Sequence, residues 1–368
     1  MPSPAVDGAQ SATYDAPPSL NGDYASTQTE GLSGLATHTS GSLVIPAATA
    51  PVRPSTPTYS LGDLQTEQKN ANSAKVDAVS TLDLCRIIND EDATVARSVQ
   101  GCLPLIAAAI DIIVPRLLVG GRVIYTGAGT SGRLGILDAS EIPPTFSAPP
   151  GQFIGLIAGG DYAIRNAVEG AEDSEEQGGL DLSRLSPPLG KDDTLVGIAA
   201  SGRTPYVIGG LKYARSVGAA TVGVACVQPS ALGPLCDVAI ECVTGPEVVT
   251  GSTRLKAGTA TKMILNMIST GSQVRIGKTY GNLMVDLKIS NEKLRDRARR
   301  VVRTVVPSTS ALDVGREDVL DRVLAQCDGH VKLAILVATL GCSPEEGRAR
   351  LQATSGSLRD ALDNVSIR

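Results

Sequence analysis

The sequence predicts an α/β protein: a doubly wound parallel sheet in a three-layer αβα arrangement, a small C-terminal helical unit and a disordered N-terminal tail. Three observations predict it. Five short β-rich runs recur through the middle of the chain: Val123-Ile124-Tyr125, Ile154-Gly155-Leu156-Ile157, Leu195-Val196-Gly197-Ile198, Ala220-Thr221-Val222-Gly223-Val224 and Val238-Ala239-Ile240. They are continuously apolar, as strands buried on both faces are. Several end at Gly or Ser and lead into helical stretches such as 204–217, the alternation that builds a parallel sheet. Finally, the polarity and Pro content of the first 60 residues differ from everything that follows.

Those 60 residues hold 8 of the 22 prolines but only five charged groups, and positions 1–62 contain 17 Ser and Thr. Such a segment cannot bury enough apolar surface to offset its ordering entropy. Arg53 is its only Arg or Lys, against Asp7, Asp15, Asp23 and Glu30, which argues against a mitochondrial presequence. From about Thr66 helical spacing sets in, through Val79, Leu82, Leu84, Ile87 and Ile88, then Leu103, Leu105, Ile106, Ile110 and Ile113. After Pro307, Val319, Leu320, Val323 and Leu324 form one short stripe, and Leu333, Ile335, Leu336 and Leu340 a second. Ser343-Pro344-Glu345-Glu346 then reads as an N-cap, a first-turn proline and a capping-box Glu. The expected organisation is a tail over 1–62, an α/β domain over 63–306 and a three-helix unit over 307–368.

Composition narrows the function. With 368 residues, 42% hydrophobic, there is ample chain for a large core. A net charge of −5, no Trp, two Phe and eight Tyr disfavour nucleic acid and anionic membranes as partners. The apolar run 103–119 is broken by Asp111, Pro115 and Arg116, so it is not expected to span a bilayer. The seven cysteines show no CxxC pair, and His38 and His330 are the only histidines. Reduced thiols in a soluble cytoplasmic protein are the expectation, with no metal and no cofactor.

Three loops carry candidate chemistry. After the first strand, Gly127-Ala128-Gly129-Thr130-Ser131-Gly132-Arg133 satisfies GxGxxG. The acidic residue that reads a dinucleotide ribose belongs about 20 residues on, at the end of the second strand. Here that strand ends at Asp161, 34 residues beyond Gly127, so a phosphate cradle at a helix N-terminus is the better reading. After the third strand, Ser201-Gly202-Arg203-Thr204 repeats the hydroxyls and the glycine. A third segment, 251–259, combines Ser252, Thr253 and Lys256 ahead of a helix.

The loops GTSGR (129–133) and ASGRT (200–204) resemble those of SIS, or sugar isomerase, domains. Longer stretches are more specific. GAGTSGRLGILDASEIPPTF (127–146), IAGGDYAIRNAVEGAEDS (157–174), GIAASGRTPYVIGGLKYA (197–214), GSTRLKAGTATK (251–262) and GNLMVDLKISNEKL (281–294) resemble the N-acetylmuramic acid 6-phosphate etherase family. STLDLCRIINDEDATV (80–95) does too, so the resemblance covers about 63–368. Ile142 departs from the family pattern, where many members have Cys; only a packing change is expected.

The resemblance implies conversion of N-acetylmuramic acid 6-phosphate and water to N-acetylglucosamine 6-phosphate and D-lactate. The ether oxygen at C3 lies β to the aldehyde of the open-chain sugar. Loss of the C2 proton with protonation of the lactyl oxygen gives an unsaturated aldehyde, to which water adds; two carboxyl groups suffice. By resemblance Glu141 is the acid and Glu172 the C2 base, while Gly129, Thr130, Ser131, Arg133, Ser201, Arg203, Thr204, Ser252, Thr253 and Lys256 hold the phosphosugar. A helix starting near Gly132 and stopped at Pro143-Pro144 would place Glu141 roughly 13 Å along it at ~1.5 Å per residue. A site shared across a homodimer would reconcile that distance with one substrate. Two rivals belong to the same superfamily. A non-catalytic phosphosugar sensor resembling glucokinase regulatory protein would be longer, with two SIS domains, and would lack a Glu matching Glu141. An aldose–ketose phosphate isomerase would lack the DASE (138–141) and EGAED (169–173) motifs.

Overall fold

The computed structural model describes residues 62, 64–287, 289, 292–310 and 312–363. The tail expected over 1–62 therefore lies outside the described residues, Gly62 apart. Helices α1 (Thr81–Asp92), α2 (Val95–Gly101) and α3 (Leu103–Leu118) precede the sheet. Then come β1 (Val123–Gly127), α4 (Gly129–Phe146), β2 (Phe153–Ile157), the one-turn α5 (Tyr162–Arg165), α6 (Glu175–Ser183) and β3 (Thr194–Ile198). α7 (Pro205–Ser216), β4 (Ala220–Ala225), β5 (Val238–Glu241) and the long α8 (Lys256–Arg275) complete the α/β part.

All five strands occur where the apolar runs put them. They pair in parallel in the order β2-β1-β3-β4-β5. Alternation along each strand divides the core. Val123, Tyr125, Val196 and Ile198 join α3 and α8 on one face, while Ile124 and Leu195 join α6 and α7 on the other. The chain leaves β1 for β2 on one side and returns to β3 on the other. The carboxyl ends of β1 and β3 thus flank the switch point, where ligands enter such sheets.

Two local expectations need correction. α4 begins at Gly129 rather than Gly132, and it continues through Pro143 and Pro144 to Phe146, with Ser147 closing it in a left-handed conformation. The prolines remove backbone donors only in the last turn. Burial of Ile142 and Phe146, 4% and 6% exposed, offsets that loss. Ile142 sits in the main core, so its departure from the family pattern is a packing matter.

Past α8, a two-residue hairpin β6 (Thr279–Tyr280) and β7 (Leu283–Met284) leads to α9 (Glu292–Val305), α10 (Glu317–Gln326), α11 (Val331–Leu340), α12 (Pro344–Ala353) and α13 (Leu358–Asp363). The stretch 307–368 thus holds four helices among its described residues, not three, because the six-residue α13 is too short to show a period. The capping box at Ser343 and Glu346 forms as expected. α9 is Arg-rich, yet its Ala298, Val301 and Val302 are buried in the same core as α10 and α11. Among the described residues no single helix is long and apolar enough to cross a membrane.

A buried polar network fixes the start of α8. Glu247, fully buried, accepts from the backbone N–H of Lys256 (2.9 Å) and Ala257 (3.0 Å) and so caps the helix with a carboxylate. Lys256 Nζ donates to Glu91 Oε2 at 2.7 Å and to Pro246 O at 3.1 Å, with both charged side chains nearly buried. Asn72 donates to the other Glu91 oxygen, Asn70 to Pro246 O and Ser73 to Val248 O. The turns ahead of α1 are thereby tied to the loop after β5. Burial pushes the Glu247 carboxyl above its usual range. Burial acts on Glu91 in the same sense, but the Asn72 amide and the Lys256 ammonium outweigh it and hold Glu91 below its ordinary value of 4.5.

Lys256→Met would strand the buried Glu91 charge, so chemical denaturation at pH 7 should show about 3–5 kcal/mol lost. Because the folded-state pKa of Glu91 is depressed, the pair's contribution is present above its ordinary 4.5 and is lost as pH falls through the lower folded value. The gap between wild type and variant should close on acidification; a gap independent of pH down to 3 would contradict the pairing.

Candidate active site

The site forms where α4 springs from the end of β1. A side chain on Gly127 would put its Cβ 2.7 Å from the Gly132 nitrogen, and one on Gly132 would lie 2.6 Å from Ile157 Cγ1. Gly129 adopts φ +52°. The three glycines of the GxGxxG pattern therefore serve a tight strand-to-helix turn packed against β2. Ala128 offers no side-chain cap, so N–H groups of the first helical turn, around Thr130 and the half-buried Ser131, point outward unsatisfied by the helix. A helix start of this kind can cradle an anion.

A cleft of about 160 Å³ opens beside it, lined by Ala128, Gly129, Arg133, Ala158 and the segment 167–172. Glu172 enters it from a single 3₁₀ turn, Ala171–Asp173, entered through Gly170 at φ 72°. The second hydroxyl loop is adjacent, because Gly127 at the end of β1 pairs with Ile198 at the end of β3. Gly202, at φ 66°, turns that loop, and a Cβ there would meet Ser230 Cβ at 2.6 Å. Thr204 precedes α7 without using its side chain as a cap. Its hydroxyl and that of Ser201 remain available to a ligand.

Two expected phosphate ligands also bond to groups of the protein. Arg133 lines the cleft, but its Nε donates to Ile164 O (2.9 Å) and an Nη to Ala163 O (2.8 Å) and Asn166 O (3.3 Å). It satisfies carbonyls left open where α5 ends, while its other Nη takes no part in these bonds, which leaves the expected phosphate contact unchanged. Lys256 is corrected to a structural role, since its buried ammonium requires the Glu91 carboxylate. Arg203 is half-buried on the β3 loop. Ser252 and Thr253 lie in a tight turn at Gly251, bonded through their own backbone N–H groups to Val249 O and Gly251 O. Neither lines the cleft.

Glu141 is exposed, twelve residues beyond Gly129 on α4, or roughly 18 Å along the axis at ~1.5 Å per residue. One chain therefore does not bring Glu141 and Glu172 together. Positions 130, 134, 137 and 141 share a helix face, and Leu137 on it is 46% exposed. Thr130 and Leu134 on that face line a groove of about 390 Å³ between α4 and α8, together with Arg254, Thr259, Lys262 and Met263.

Sequence reasoning missed Asp138, Arg254 and Lys262 as participants. Asp138, in the DASE motif, is buried and accepts from Tyr125 Oη at 2.9 Å and Lys262 Nζ at 2.7 Å, tying α4 to β1 and α8. Burial, reinforced by Asp138, pushes the Tyr125 phenol far up. The two cations Arg254 and Lys262, eight residues apart across the start of α8, were the signal available. Chemically, the arrangement joins oriented donors for an anion to one carboxylate for proton transfer.

Comparison with known proteins agrees. The model of the glucokinase regulatory protein N-terminal SIS domain matches residues 105–215, and that of the SIS domain matches 174–270. A Mycolicibacterium smegmatis protein named N-acetylmuramic acid 6-phosphate etherase is 50% identical over 302 residues, which cover 82% of this chain and 98% of that protein. The Streptomyces coelicolor protein of the same name is 53% identical, covering 82% and 94%, and the one from Escherichia coli O17:K52:H18 is 51% identical, covering 81% and 97%. At such identity over nearly the full length of these relatives, the chain belongs to the N-acetylmuramic acid 6-phosphate etherase family.

Proposed function

We propose that this protein cleaves the lactyl ether of N-acetylmuramic acid 6-phosphate to N-acetylglucosamine 6-phosphate and D-lactate. The observation carrying the reading is identity of 50–53% with relatives named for that activity, over 94–98% of their lengths. The site is consistent with it. The sugar phosphate sits on the N–H groups that open α4 and on the hydroxyls of Ser131, Ser201 and Thr204. Glu172, in the neighbouring cleft, takes the C2 proton of the open-chain aldehyde, and the electron pair it leaves delocalises into the carbonyl. As the C3–oxygen bond breaks, Glu141 protonates the departing lactyl oxygen. Water then adds at C3 with its proton passing to Glu141, and C2 regains a proton from Glu172, so both carboxyl groups return to their starting states.

Glu141 is too far along α4 to serve the cleft of its own chain, so a second copy supplies it. The exposed face around Leu137 and a shallow groove of about 450 Å³ along α8, at Met263, Met267 and Gly271, are where that copy docks in a two-fold dimer.

The direct test is incubation with N-acetylmuramic acid 6-phosphate and assay of D-lactate; no release would refute the reading. Ser131→Ala and Ser201→Ala each remove a donor to a charged oxygen, about 1.5–3 kcal/mol or 10- to 150-fold in kcat/KM. Turnover of the unphosphorylated sugar at the same rate as the phosphorylated one would refute the cradle.

Glu141→Gln should lower cleavage by about 10²–10⁴-fold while still exchanging the C2 proton of N-acetylglucosamine 6-phosphate with deuterated solvent; Glu172→Gln should lose both. Exchange surviving in Glu172→Gln and vanishing in Glu141→Gln would reverse the roles. Co-expressing the two variants should restore about a quarter of wild-type activity, since half the dimers are mixed and each has one intact site of two. No recovery above either variant alone would place both carboxylates in one subunit.

A further inference from the structure

A sugar bearing both a phosphate and a lactyl group presents two anions, and the α4 cradle accounts for only one. Among the described cations of the site, Arg133 donates through Nε and one Nη to backbone carbonyls, Lys256 pairs with Glu91, and Arg203 is engaged as well. Lys262 is held by Asp138, with 28% of its side chain exposed.

Arg254 differs from them. It is exposed, and among the described residues it has no carboxylate partner. It stands two residues before α8, in the groove of about 390 Å³ that also exposes Thr130 and Lys262. Thr130 directly follows Gly129, so this groove opens beside the phosphosugar site, and its Met263 also lines the groove along α8 where the second copy docks. A group leaving C3 toward the Glu141 supplied by that second copy would pass along it.

Resting on the etherase reading, we infer that Arg254 binds the lactyl carboxylate and sets the specificity for sugar phosphates that carry a lactyl ether. Its guanidinium offers two parallel donors to a carboxylate, a geometry an ammonium cannot reproduce. The Lys262 ammonium, fixed by Asp138, adds a second positive charge to the same groove. The pairing also holds the ether oxygen in place while its bond to C3 breaks, without Arg254 touching a transferred proton.

The full-length protein tests this with two sugars. Arg254→Gln should raise KM for lactate release from N-acetylmuramic acid 6-phosphate roughly 10- to 100-fold, the range for loss of a charge-assisted pair. Its C2 proton exchange on N-acetylglucosamine 6-phosphate, which has no lactyl group, should keep a KM within about twofold of wild type. Arg254→Lys should recover part of the lost affinity. An equal loss in both reactions would overturn the assignment in favour of a structural role, and an unchanged KM for lactate release would overturn it outright. A wild-type protein that releases no lactate would remove the etherase reading and this assignment together, an outcome separate from either of those.

Discussion

Everything at the site depends on one close approach: α4 leaves the end of β1 with no side chain between helix and strand. Gly127 and Gly132 leave room only for hydrogen at the two positions where backbone meets backbone and Ile157. Any larger residue would push the helix off the sheet and turn its first N–H groups. The same helix holds Asp138 and Glu141 farther along. One packing constraint therefore sets the direction of the helix start, the polar tie to Tyr125 and Lys262, and the position of a carboxylate roughly 18 Å from that start.

A second constraint acts from the far side of the site. The buried Glu247 carboxylate closes the start of α8 and the Lys256–Glu91 pair locks that start to α1. These charges sit in the interior because each is met by donors or an opposite charge, the condition under which burial of ions is tolerated. Their placement leaves Arg254, two residues earlier, outside the network and facing the groove. The loop is thus rigid at its root and charged at its tip, a division suited to presenting one guanidinium to a ligand.

The sheet was legible because its strands are buried on both faces, and continuous apolar runs such as Leu195-Val196-Gly197-Ile198 have few other readings. The adjacency of the two hydroxyl loops was legible through motif and position, since both follow strands that pair side by side. The end of α4 was misjudged because Pro143 and Pro144 read as a stop, whereas core burial of Ile142 and Phe146 carries the helix past them. Lys256 was misjudged, and the bonds of Arg133 were missed, for a different reason. Sequence displays a charge but not its neighbour: the partner of Lys256 lies 165 residues away, and the partners of Arg133 are carbonyls that any sequence would supply. The short α13 left no period to detect, and the apolar side of α9 is masked by its arginines.

In the proposed reaction the bond broken lies between C3 of the sugar and the lactyl oxygen, by elimination and then addition of water. The decisive measurement is to run it in water enriched in oxygen-18 and locate the label in both products, apart from the C1 oxygen that exchanges through the aldehyde. One heavy oxygen is expected at C3 of the N-acetylglucosamine 6-phosphate formed, with the released D-lactate keeping the original ether oxygen. Heavy oxygen at the lactate hydroxyl and none at C3 would mean that the other carbon–oxygen bond is cleaved, and the assignment of Glu172 as a C2 base would fall with it.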